Sequence, residues 1–129
     1  MRILAALILG LLIPPLSPAS EIEVLHWWTA GGEARAADVL RSHWQDLGYR
    51  WIDAAIAGGG GKSAMLVLRS RALSHQLPQA AHLKGAELHE WAHNGFLRNL
   101  DDVARQGQWQ LRLYPFVSST LNHQDHFVS

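Results

Sequence analysis

Three times between positions 22 and 94, a short strand-like run ends in a glycine-bearing turn and gives way to a helical pattern. Ile22 to Trp28 is β-branched and aromatic, with Ile22, Val24 and His26 alternating against Glu23, Leu25 and Trp27. Thr29-Ala30-Gly31-Gly32 turns into a segment where Ala36, Ala37, Leu40, Trp44 and Leu47 recur at helical spacing, and Gly48 stops it. Tyr49 to Ala57 reads as a second strand, Gly58 to Gly61 as a loop, and Lys62 to His75 as a helix striped by Met65, Leu68 and Ala72. Pro78 breaks that pattern, Ala80 to Leu83 offers a third strand, and Lys84-Gly85 leads into a helix over Ala86 to Asn94. Alternation of this kind predicts an α/β layer with a mainly parallel sheet. Beyond it, Asp101-Asp102 can start a fourth short helix, Leu111 to Leu121 is ambiguous, and Phe127-Val128 reads as the start of a further strand. A strand ending there would leave the sheet with an unpaired edge.

Residues 1–19 stand apart from this pattern. Met1-Arg2 is a short positive start, Ile3 to Ile13 is an apolar run, and Pro14, Pro15 and Pro18 end it. Ser17-Pro18-Ala19 offers small residues for a signal peptidase, so a secretory signal cleaved near Ala19 or Ser20 is expected. The run is too short to span a bilayer comfortably. Export predicts a periplasmic protein, and with no cysteine its stability must come from its core. The hydrophobic fraction of 48% suits a globular core, with residues 20–129 as a single unit. Lys+Arg and Asp+Glu are both 11, which gives no reason to expect a nucleic-acid partner. Six tryptophans are many for 129 residues, and an indole can stack on the apolar face of a sugar ring as well as fill a core.

Three constellations carry chemistry. Gly58-Gly59-Gly60-Gly61-Lys62-Ser63 follows a strand and opens a helix, as a phosphate-binding loop does. That motif, however, needs a glycine where Ile56 stands, and no apolar run ending in Asp follows. The loop serves equally as a tight turn or as a place where backbone amides approach a ligand.

His89-Glu90-Trp91-Ala92-His93 matches H-E-x-x-H on a helix, the pattern of zinc hydrolases. No Glu follows Glu90, positions 96 and 99 are Phe96 and Asn99, and the spare His123 and His126 lie in what reads as an irregular tail. A solvated helix face is the better reading, with a zinc hydrolase as the alternative.

The third constellation is Trp27-Trp28 with Glu33 and Lys84. Ligands of open α/β sheets sit in the loops after the carboxyl ends of strands. There this chain offers an aromatic pair, glycine backbone and a lysine, a combination that suits a sugar's apolar faces and hydroxyls. One Trp of the pair is expected in the core.

The segments E-V-L-H-W-W-T-A-G-G-E (Glu23 to Glu33), A-G-G-G-G-K-S-A-M (Ala57 to Met65), L-K-G-A-E-L-H-E-W-A (Leu83 to Ala92) and N-G-F-L-R-N-L (Asn94 to Leu100) occur in order. Together they resemble the opening of the glucose/mannose-type periplasmic binding proteins, family one of the extracellular solute-binding proteins. The resemblance implies a two-lobed, type II periplasmic-binding-protein fold, of which the chain holds an incomplete first lobe. It implies binding of a glucose-like hexose by a monomer, without cofactor, metal or catalysis, and delivery to an ABC permease. It also implies that Trp27 and Trp28 stack on the sugar, that Glu33 accepts from a hydroxyl and that Lys84 donates to one. Lys62 departs from the family pattern and is left out of the site. With the rest of the cleft missing, as from a truncated or split gene, weak or undetectable sugar affinity is expected from the chain alone.

Overall fold

The computed structural model describes residues 20–128, so the expected signal segment lies outside the described residues. Strand β1 (Glu21–His26) leads to helix α1 (Gly31–Asp46), β2 (Arg50–Ala55), a single 3-10 turn (Gly59–Gly61) and α2 (Lys62–Leu73). Strand β3 (Ala80–Ala81) and α3 (Ala86–His93) complete the alternation. The three strands form one parallel sheet in the order β2-β1-β3, with Val24 beside Asp53 and Ala80, and Leu25 beside Ala54 and Ala81. The expected α/β alternation and parallel sheet are therefore present.

The sheet's two faces differ because successive side chains point to opposite sides. On one face Leu25 packs with Ala64, Met65 and Leu68 of α2, Trp91 of α3, and Trp27, with Ala54 and Ala81 against them. The apolar stripe of α2 supplies this contact, since Ala64, Met65 and Leu68 recur on one side of the helix. The other face carries Val24, His26 and Asp53, and Arg41 of α1 reaches Asp53 at 3.1 Å. Glu23 of β1 accepts two bonds from Arg71 of α2, each 2.7 Å. Those bonds hold the Glu23 carboxyl below its usual range and raise the Arg71 guanidinium in step.

The third strand is shorter than the sequence predicts. Its ladder ends as the His82 amide donates to the Leu25 carbonyl at 2.8 Å, after which the chain turns away. Helix α1 begins at Gly31, earlier than its apolar spacing suggests. The ambiguous stretch resolves into α5 (Trp109–Arg112) and α6 (Pro115–Thr120), after α4 (Asp101–Gln106). Pro115 opens α6 at a position where its missing N–H costs nothing.

The largest correction concerns the last residues. Phe127 does not begin another strand of the parallel sheet. Strand β5 (His126–Phe127) pairs antiparallel with β4 (Asn122–His123) in a separate two-stranded sheet. Gln124 and Asp125 both have positive φ, 51° and 65°, the backbone signature of a tight two-residue hairpin. Asp101 clasps this hairpin to α4: its carboxylate accepts from the Phe127 amide at 2.8 Å and faces His126 Nδ1 at 2.7 Å. The bonds from His126, Asn99 and Phe127 pull the Asp101 carboxyl down to about 2. Phe127 is buried, with Trp109 edge-on at 5.7 Å. The final segment thus bonds to Leu100, Asp101 and Leu121, and among the described residues the parallel sheet has three strands.

Candidate functional site at the strand carboxyl ends

Because β1, β2 and β3 run parallel, the loops that follow them emerge at one edge of the sheet. Trp27-Trp28, the 58–61 glycine loop and Lys84 lie in those three loops. The structure brings most of them into contact.

Trp27 is the centre of the cluster. It turns to the face that Leu25 occupies and keeps only 8% of its surface exposed. His82 stacks on it, with ring centroids 3.8 Å apart and planes 11° from parallel. Gly61 comes so close that a Cβ there would stand 3.0 Å from the Trp27 Cε2. The Lys84 ammonium lies 5.3 Å from the ring centroid and donates to the Gly60 carbonyl at 2.7 Å. One bond and two ring contacts thereby tie together the loops of all three strands. Of the two tryptophans, Trp27 is the one that packs in the core.

Trp28 is half-buried and meets His82 edge-on, with centroids 4.7 Å apart. Its backbone amide donates to His26 Nδ1 at 3.2 Å. Glu33 is exposed in the first turn of α1, where a carboxylate complements the helix dipole. Its charge still reaches His82, where it favours the protonated imidazole. Burial, helped by the charge of Lys84, outweighs it and lowers the His82 pKa. Lys62 begins α2 with its side chain exposed.

The glycine loop has a third use beyond the two its sequence suggests. Gly61, with φ of 98°, sits where a side chain would be strained and would also strike Trp27. Gly60 presents a carbonyl to Lys84. The loop thus closes against the aromatic ring with an acceptor as well as donors, unlike a cradle for phosphate.

The H-E-x-x-H segment assembles differently from a zinc site. Glu90 is bound by Arg69 Nη2, at 2.9 and 3.2 Å, and so is engaged with α2. His89 and His93 are exposed, opposite the buried Leu88 and Trp91. The sequence reading of an irregular tail needs correction here, since His123 lies on β4 with its ring 6.4 Å from His89 and 6.3 Å from His93. Among the described residues, no three such groups are placed to hold a metal ion.

Two contributors escaped the sequence reading. His82 is the hub between both tryptophans; the sequence reading placed it inside the third strand, which the structure ends at Ala81. His26 registers in sequence only as one alternating strand position. Its bond to Asp53 joins residues 27 positions apart, which no local pattern reveals. Depressions lie beside Asp101, Trp109 and Phe127, at about 450 Å³, between α2 and α3, at about 310 Å³, and along α1 at Asp38, Ser42 and Asp46, at about 410 Å³.

No protein-family model matches the chain. It is 40% identical over 111 residues to a probable sugar-binding periplasmic protein of Rhizobium meliloti, a match that takes in 86% of this chain and 27% of that protein. It is 38% identical over 118 residues to a probable sugar-binding periplasmic protein of Brucella melitensis, covering 89% of this chain and 28% of the relative. An uncharacterized ABC transporter extracellular-binding protein of Pyrococcus horikoshii is 33% identical over 87 residues, 64% of this chain and 20% of that protein. The chain thus spans between a quarter and a third of the length of the first two relatives. Over most of its own length, the chain is therefore similar to part of proteins named probable sugar-binding periplasmic proteins and of one ABC transporter extracellular-binding protein.

Proposed function

We propose that this chain forms one wall of a hexose-binding cleft in a periplasmic receptor that hands a glucose-like sugar to an ABC permease. The observation that carries the reading is the meeting of Trp27, Gly60, Gly61, His82 and Lys84 at one edge of the sheet, with Trp28 beside them. The names of the relatives, probable sugar-binding periplasmic proteins, point the same way. The wall is taken as part of the first lobe of a type II periplasmic-binding-protein fold. It works as a monomer and is exported by a signal in residues 1–19.

Each group has a role its chemistry suits. The half-buried Trp28 offers its ring to the apolar face of the sugar. Trp27, fixed between His82 and Gly61, is the floor on which that ring and Lys84 are set. Lys84 carries three N–H donors and uses one on Gly60, which leaves it able to donate to a sugar hydroxyl. Glu33, exposed across the rim, accepts from another hydroxyl. Recognition of this kind requires no covalent step, metal or cofactor. With a single open wall the affinity is weak.

Tryptophan fluorescence titration with glucose tests the reading. The expected result is a weak saturable change, with affinity roughly fivefold lower in Trp28→Ala, about 1 kcal/mol of lost stacking. Trp27→Ala is expected to lower the melting temperature, because it empties part of the core. Unchanged affinity in Trp28→Ala would remove the proposed site.

A further inference from the structure

His26 is the only polar residue buried among the described residues, and the site as drawn so far does not use it. It closes β1, two residues before Trp28. A buried imidazole without partners costs free energy. Here both ring nitrogens are satisfied, and the partners fix where the proton sits. The Trp28 amide donates to Nδ1 at 3.2 Å, so Nδ1 carries a lone pair. The proton is therefore on Nε2, which donates to Asp53 Oδ1 at 2.7 Å.

Asp53 is itself held from two sides. Trp51 Nε1 donates to Oδ1 at 3.2 Å, and Arg41 Nη2 donates to Oδ2 at 3.1 Å. Burial raises the Asp53 carboxyl, but the bonds from His26 and Trp51 and the charge of Arg41 outweigh it, so the group stays ionised. A chain of bonds thus runs from α1 through β2 and β1 to the backbone of Trp28. A core position that only needed filling would be served by an aliphatic residue. This one ends on a main-chain amide at the rim.

We propose that Asp53 and His26 are a positioning pair for the sugar-facing corner: the carboxylate holds His26 as its Nε2–H tautomer, and His26 Nδ1 anchors the Trp28 amide and so sets where the Trp28 ring stands. The proposal rests on the reading of Trp28 as a sugar contact, yet its geometric half can be tested without sugar.

Asp53→Asn is the informative change. The new amide can donate to Nε2, which lets the proton move to Nδ1 and abolishes the acceptor for Trp28. Nitrogen-15 spectra of the imidazoles should show His26 with a protonated Nε2 and a bare Nδ1 in the native chain at neutral pH. In Asp53→Asn that pattern should reverse or mix, and the Trp28 amide and indole signals should move while those of Trp109 stay. Arg41→Met removes the far end of the chain of bonds without touching the His26 bond, and should leave the tautomer and Trp28 in place. Glucose affinity should fall by up to about fivefold in Asp53→Asn, no further than in Trp28→Ala, and little in Arg41→Met.

A native His26 protonated on Nδ1 overturns the proposal, and that measurement stands even if Asp53→Asn fails to fold. So does a tautomer change that leaves Trp28 unmoved, or an equal Trp28 shift in Arg41→Met, which would signal general loosening. If no protein binds glucose while the tautomer and Trp28 shifts follow as expected, the sugar reading fails and the positioning pair stands.

Discussion

His82 shows how much a single side chain's surroundings decide. It lies flat on Trp27 and edge-on to Trp28, with its Nδ1 buried and without a protein partner. Burial and the charge of Lys84 hold its pKa below 6.5, so the folded chain prefers the neutral ring. A depressed histidine gives its full stabilisation above its unfolded value and loses it as pH falls below that value. Urea unfolding midpoints should therefore decline from neutral pH to about pH 5. His82→Phe, which keeps a flat ring on Trp27, should flatten that decline, and an identical slope in both proteins would show that His82 is not the group responsible. At this scale the sequence was partly legible. Trp27, Trp28, Glu33 and Lys84 could be picked out by residue type and by position after strands. Which of the two tryptophans is buried depended on the strand's pleat carrying Trp27 to the Leu25 face, something the Trp-Trp dipeptide does not reveal.

At the level of elements, the glycine loop joins fold to site. Its 3-10 turn delivers α2 to the sheet, and its last glycine lies against an indole ring. Gly61→Ala should cost about 1–2 kcal/mol from the left-handed backbone alone, and more from the 3.0 Å approach to Trp27. The matching observation is a lower melting temperature together with an altered Trp27 signal, whereas Gly58→Ala, strained but in open space, should leave Trp27 unmoved. A normal melting temperature in Gly61→Ala would mean that the loop sits elsewhere. Strands β1 and β2 and helices α2 and α3 were legible because period-two and 3.6-residue patterns are local. The extent of β3 and the pairing of β5 were not. The first depends on a distant backbone, the Leu25 carbonyl that His82 meets, and the second on the distant Asp101 side chain, which holds the hairpin away from the parallel sheet through the Phe127 amide.

For the molecule as a whole, three parallel strands covered on both faces give a small core that leaves many apolar side chains outside. Met65 and Leu68 are buried while Leu66 and Leu73, on the same helix, are 68% and 86% exposed. The alternation of strands and helices was enough to predict the α/β class, but not which helical face would find a partner. Three loops converge into the rim proposed to face the sugar. The most direct test of that role is a two-dimensional NMR titration of the chain from Ser20 onward with glucose at high millimolar concentration. The Trp28 indole, the Gly60 and Gly61 amides and the Lys84 amide should shift along a common binding curve, while the Trp44 and Trp109 indoles stay fixed. Shifts confined to the depression beside Trp109, or no shift at the rim, would contradict that role.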